Sequence, residues 1–151
     1  MPELRLEELS AKNIVAANTL TLKPGQEQFI APVSYAMASP FIDPSTNWSR
    51  VVVDEDDEVV AFLMANFDYD AQEPEFRSCI WRMNVAADAQ GRGVGRFAVE
   101  STADEARKRQ FTQLTVIWEP GDDGPEAFFL RVGFTVVGQT QYGEHIGSMD
   151  L

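Results

Sequence analysis

The stretch Gln90-Gly91-Arg92-Gly93-Val94-Gly95-Arg96 constrains this chain more than any other. Before it runs a β-rich segment, Phe76 to Val85. After it, Val94, Phe97, Ala98, Ser101 and Thr102 recur at helical spacing within Gly93 to Arg109. A strand, a tight loop and a helix in that order must lay the helix against a sheet. Alternate glycines let the backbone turn sharply and approach a ligand closely. The first N–H groups of the helix point outward, unpaired, at the positive end of its dipole. Arg92 and Arg96 add two cations. The loop is a place for a phosphate, although the same residues also suit a plain strand-to-helix turn. It is not a P-loop, because no Gly-Lys-Ser or Gly-Lys-Thr follows, and G-x-G-x-G is not the dinucleotide fingerprint.

The remaining pattern is mixed. Leu4 and Leu6 alternate with charge as a short strand, and Ser10 can cap a helix over Ala11 to Leu20 with Ile14 and Val15 inward. Lys23-Pro24-Gly25 breaks the chain, and a second helix is expected over Gln26 to Met37, kinked at Pro32. Val51-Val52-Val53 and Val59 to Met64 flank five consecutive acids, Asp54 to Glu58, which predicts a hairpin with a solvated turn. That acidic run lacks the glycine and the spaced ligands of an EF-hand loop. Leu114 to Trp118, Phe134 to Val137 and Ile146 to Leu151 read as strands, and a short helix starts at Pro125 and stops at Gly133. With no repeat and no dividing linker, residues 1–151 are expected to form a single α/β (α+β) domain, a mixed sheet with helices on its faces.

Charge narrows the partners. Twelve Lys and Arg against 24 Asp and Glu leave a net −12, a field that repels nucleic acid and anionic lipid and attracts cations such as a polyamine. No apolar run is long enough to span a bilayer, and Met1 to Ser10 does not resemble a secretion signal, so a cytoplasmic location is expected. Cys79 is the only cysteine, which excludes an internal disulfide and a multi-cysteine metal site.

Gln90-x-x-Gly93-x-Gly95 resembles the Q/R-x-x-G-x-G/A signature of the GCN5-related N-acetyltransferases, and Ala127 to Phe134 resembles the helix those proteins set beside the CoA arm. The order of elements is similar over nearly the whole chain. The resemblance implies a twisted, mostly antiparallel sheet of six to seven strands with about four helices. It implies acetyl-CoA as co-substrate and no metal. Backbone groups of Met83, Asn84 and Val85 would pair with the pantetheine arm. Gln90, Gly91, Arg92, Gly93, Val94, Gly95 and Arg96 would hold the pyrophosphate, with Phe128 and Phe129 beside the arm. Trp81 to Val85, Gln26 to Pro32 and Gly143-Glu144 look like the bacterial diamine/spermidine N-acetyltransferases. The implied partner is a small-molecule amine, and a homodimer is one assembly open to the chain.

The acceptor amine must lose a proton before it attacks the thioester, which calls for a carboxylate base. Glu119 and Glu75 are the candidates, and Glu27 is the candidate for a distal cation. His145, the single histidine, reads as a surface residue. Cys79 reads as core, with Trp81 and Met83 on its strand face. Phe129 stands where the family often has a tyrosine that protonates the leaving thiolate; Tyr142 or water are the substitutes. Two other functions stay open: acetylation of another acceptor (an amino acid, an aminoglycoside or a protein N-terminus), and acyl-CoA binding without turnover.

Overall fold

Seven strands form one sheet in a computed structural model that describes residues 3–18, 20, 45–122 and 124–151. They are β1 (Arg5–Glu8), β2 (Asn47–Val53), β3 (Val59–Phe67), β4 (Ser78–Val85), β5 (Gln113–Trp118), β6 (Thr135–Gln139) and β7 (His145–Asp150). Their order is β1-β2-β3-β4-β5-β7-β6, and every neighbouring pair is antiparallel except β4 with β5. Three α-helices stand among the described residues: α1 (Ile14–Asn18), α2 (Val94–Lys108) and α3 (Glu126–Val132). The mixed α+β architecture is therefore the one expected. The helix expected over Gln26 to Met37 lies outside the described residues, and so does Glu27.

The helices cover both faces. Val94, Ala98 and Ala106 of α2 pack on Leu63 and Ala65 of β3, while Val99 and Ala103 meet Ile80, Leu114 and Val116. Ala17 of α1 lies on the opposite face, against Val51, Val53 and Phe62. The expectation for α1 needs correction. It is short, and Ile14 and Val15 point outward, 41% and 69% exposed. Asn13 takes the inner position because its side chain has backbone partners there: Nδ2 donates to the Glu8 carbonyl, and Oδ1 accepts from the Ser10 N–H. Ala17, one turn on, is small enough to sit flush on the valines.

A second correction concerns β4. Met64 pairs with Arg82 but Ala65 pairs with Ile80, so Trp81 is an extra residue opposite β3. A one-residue bulge moves every later side chain to the other face. Cys79 stays with Ile117 and Ile146, but Met83 joins Ile80 beneath α2, so the two do not share a face. Beyond this point β4 and β5 also part: their pairing consists of Cys79 with Thr115 and Ile80 with Val116.

The acidic hairpin turn closes on itself, since Oδ1 of buried Asp54 accepts the N–H groups of Asp56 and Glu58 at 2.9 and 3.0 Å. No helix among the described residues is long and apolar enough to cross a membrane.

Strand β7 has one tight spot. A Cβ built on Gly147 would stand 2.5 Å from the ring of Trp118, which is fully buried and cannot swing away. Gly147→Ala should lower stability by about 1–3 kcal/mol, the usual cost of overpacking, read as a fall in the urea midpoint with an unchanged slope.

Candidate active site

The glycine loop leaves β4 and enters α2 as the sequence suggests, by a particular device. Gln90 Nε2 donates to the carbonyl of Val85 at 2.9 Å, tying the loop back to the last residue of the strand. Gly91 and Gly93 have φ of +84° and +82°, and a Cβ at either would meet open space. What those two positions require is backbone freedom. The first bond into the helix runs from the Phe97 N–H to the Gly93 carbonyl, so the N–H groups of Val94, Gly95 and Arg96 precede any i−4 partner within it. These N–H groups and the dipole of a 15-residue helix converge on one spot. The arginines contribute less than their sequence position suggests. Arg92 lies 3.8 Å from Asp54 and Arg96 lies 3.7 Å from Glu100. Both guanidiniums are about half exposed, Arg92 beside the buried Asp54 and Arg96 beside the exposed Glu100, and pairs held this loosely leave either guanidinium free to turn toward an arriving anion.

Gly95 has a different reason. A Cβ there would stand 2.8 Å from Cζ of Phe128 on α3. The two segments that carry the sequence resemblance thus touch, ring against bare backbone. Phe128 meets Phe129 edge to face, and Phe129 is buried, stacked on Trp118 with ring centroids 5.3 Å apart and edge-on to Phe134. Phe129 therefore sits within an aromatic cluster.

His145 needs correction. It is partly buried, not a bare surface residue. It faces Trp118 across β5 and β7, its ring edge-on to the indole, and its Nδ1 is 2.5 Å from Oε1 of Glu126. The same Oε1 accepts from Trp118 Nε1 at 3.1 Å. The hydrogen bond from His145, and then that from Trp118, hold the Glu126 carboxyl below its ordinary pKa. Nothing in the sequence pairs residues 126 and 145; the β5–β7 register does.

The candidate bases separate. Glu119 follows Trp118 at the open end of β5, partly buried. Glu75 lies in a 3-10 turn, Pro74–Phe76, where its carbonyl accepts from Thr115 Oγ1 at the paired end of the strands. The structure therefore places Glu75 away from the glycine loop. Cys79 is core as expected, and burial pushes its thiol up to about 12. Glu144 is wholly buried, with Oε1 accepting from Thr140 Oγ1, so it serves its own turn.

Met83, Asn84 and Val85 occupy the part of β4 that has left β5, so their backbone groups on that side have no strand partner. Asn84 is 7% exposed and, among the described residues, its Oδ1 has no hydrogen-bond donor. Two residues earlier the half-buried guanidinium of Arg82 lies 5.9 Å from the centre of the Phe62 ring, its Nε likewise unpartnered. The sequence reading missed Arg82. The available signal was a lone cation within an apolar strand of an acidic chain.

Residues 19–134 match the model of the Acetyltransferase (GNAT) family. No curated protein matches the sequence. Solved structures share the fold. A nourseothricin acetyltransferase superposes with a TM-score of 0.72 at 17% identity, covering 97% of this chain and 98% of that one. The ribosomal-protein-S18-alanine N-acetyltransferase from Escherichia coli gives 0.66 at 17%, covering 98% and 94%. A GNAT family acetyltransferase from Elizabethkingia anophelis, solved with acetyl-CoA bound, gives 0.66 at 11%, covering 98% of each chain.

Two consequences can be measured. Gly95→Ala should cost about 1–3 kcal/mol, and clearly less when Phe128 is already leucine, because the clash is with that ring. A double-mutant cycle in urea that returns simple additivity would deny the contact. Glu126 has a lowered pKa, so its contribution is present above the ordinary carboxylate range and fades as pH falls through the lowered value. The stability gap between wild type and Glu126→Gln should therefore narrow as pH falls from neutrality through the ordinary carboxylate range and below it.

Proposed function

Because the chain belongs to the acetyltransferase (GNAT) family, we propose that it moves an acetyl group from acetyl-CoA to a primary amine by direct transfer. The observation that carries this reading is the open wedge between β4 and β5 beside the glycine loop. A pantetheine arm carries amides, and the unpaired backbone of Met83 to Val85 can take it as an added strand. The N–H groups from Arg92 to Arg96 receive the pyrophosphate, where the helix dipole favours negative charge. Gln90 and Phe128 position that loop.

The neutral amine attacks the thioester carbonyl. A C–N bond forms, the C–S bond breaks, and CoA leaves as thiolate. The amine nitrogen gives up a proton, for which Glu119 at the open end of β5 is the base. Phe129 has no proton to offer, so the thiolate, with a pKa of about 8.5 by analogy with cysteine, takes its proton from solvent. Asn84 and Arg82 line the opposite face of the wedge from α2, and the acceptor approaches there. Of the acids that a polyamine acceptor would call on, Glu144 is buried in its own turn and Glu27 lies outside the described residues.

Calorimetry with acetyl-CoA is the first check. Wild type should bind, and Gly93→Val should bind at least tenfold more weakly, since valine is strained at this positive φ. Equal affinity would remove the loop from the site. In turnover with any accepted amine, Glu119→Gln should lower kcat by about a hundredfold with little change in KM for acetyl-CoA, and Glu75→Gln should stay within about twofold.

A further inference from the structure

Of the described cations, Lys12, Arg77, Lys108 and Arg131, like Arg82, have no ion pair, but each is exposed, whereas Arg82 is partly buried. Arg5, Arg50, Arg92, Arg96, Arg107 and Arg109 each pair with a carboxylate. Carboxylates outnumber cationic side chains 24 to 12 in this chain, yet no described carboxylate pairs with the half-buried guanidinium of Arg82. Removing a cation from water without a partner is unfavourable, and an anion that arrives there recovers the loss. Asn84 adds the complementary group. It lies two residues along the same strand, about 6.6 Å on, opposite Phe62 in the β3–β4 register. Among the described residues its Oδ1 has no donor, in a residue more than nine-tenths buried. Phe62 lies beneath the Arg82 guanidinium and beside Asn84 across the strand pair. An orphan donor of positive charge and an orphan acceptor share one face, next to the backbone proposed to hold the acetyl donor.

On the reading that this chain transfers acetyl groups to amines, we infer that its acceptor is a small primary amine carrying a carboxylate, of amino-acid type. Arg82 takes the carboxylate and Asn84 Oδ1 takes an amine N–H. The guanidinium can grip a carboxylate with two parallel bonds, which fixes the molecule's orientation as well as its position. The amine is then set between Asn84 and the wedge, its lone pair free once the proton has gone. A diamine offers Arg82 only a second positive charge.

The test measures CoA release with the twenty standard amino acids, β-alanine and γ-aminobutyrate, each beside its carboxamide, together with putrescine and spermidine. At least one free acid should be turned over, its neutral carboxamide being roughly ten- to a hundredfold poorer in kcat/KM, the span expected when a hydrogen bond to a charged group is lost. Arg82→Gln should abolish that preference by raising the acceptor KM, while leaving the KM for acetyl-CoA and the thermal midpoint close to wild type. Arg82→Lys should restore part of it. A preference for carboxamides or polyamines would overturn the inference, and so would an Arg82→Gln enzyme that slows acids and carboxamides alike. Silence with every amino acid, while calorimetry still shows acetyl-CoA binding, overturns it too and leaves the transferase reading standing. Wild type that binds no acetyl-CoA would instead sink the underlying function.

Discussion

The parallel contact between β4 and β5 is two residue pairs long, Cys79 with Thr115 and Ile80 with Val116, and the rest of the site depends on where it stops. A longer ladder would satisfy the backbone of Met83 to Val85 and leave no room between the strands. The bulge at Trp81 is the local device that goes with the divergence. It adds a residue on β4, increases its twist, and turns Arg82 and Asn84 to one face and Met83 to the other. Backbone N–H and C=O groups that leave a ladder still need partners. A strand-like ligand with its own amides, as proposed for the pantetheine arm, would supply them, and the helix dipole at the glycine loop would supply a charge complement at one end.

The loop must also keep a fixed distance from that wedge, and two ties do this. One is polar, Gln90 to the Val85 carbonyl. The other is a run of van der Waals contacts: Gly147 under Trp118, Trp118 against Phe129, Phe129 against Phe128, and Phe128 on Gly95. Each glycine there admits a ring where any side chain would collide. The run links β7 through α3 to the first turn of α2, packing the loop against the sheet. A loop proposed to hold a phosphate would gain from such packing, because less ordering would be left for binding to impose.

Much of this was legible in the residues. The hairpin around the acidic turn, the strand before the loop, the long helix after it and the short helix ending at Gly133 follow from periodicity and breakers, which act within a few residues. What escaped depends on contacts between distant segments. A bulge leaves no mark in a run such as Ser78 to Val85, so periodicity put Met83 on the face of Cys79. Ile14 and Val15 looked inward on hydropathy, but the hydrogen bonds of Asn13 and the small volume of Ala17 decided how the helix turned. Glu126 and His145 lie 19 residues apart and meet only because β7 pairs with β5. Gly95 looked like one more flexible residue of the loop, whereas its partner is a ring on another helix.

Charge works here on two length scales that point in opposite directions. The net −12 sets up a field that gathers cations, but at physiological salt it is screened beyond roughly 8 Å and governs encounter more than the bound pose. Arg82 acts at contact distance in a half-buried place where screening is weak, so it decides which group is held. A polyamine gains from the first effect and is repelled by the second. A simple carboxylate suffers the reverse. An amino acid has no net charge for the long-range field to oppose, and it presents a carboxylate to Arg82 and an amine to Asn84. Among amines, that dipolar kind is the one both fields admit.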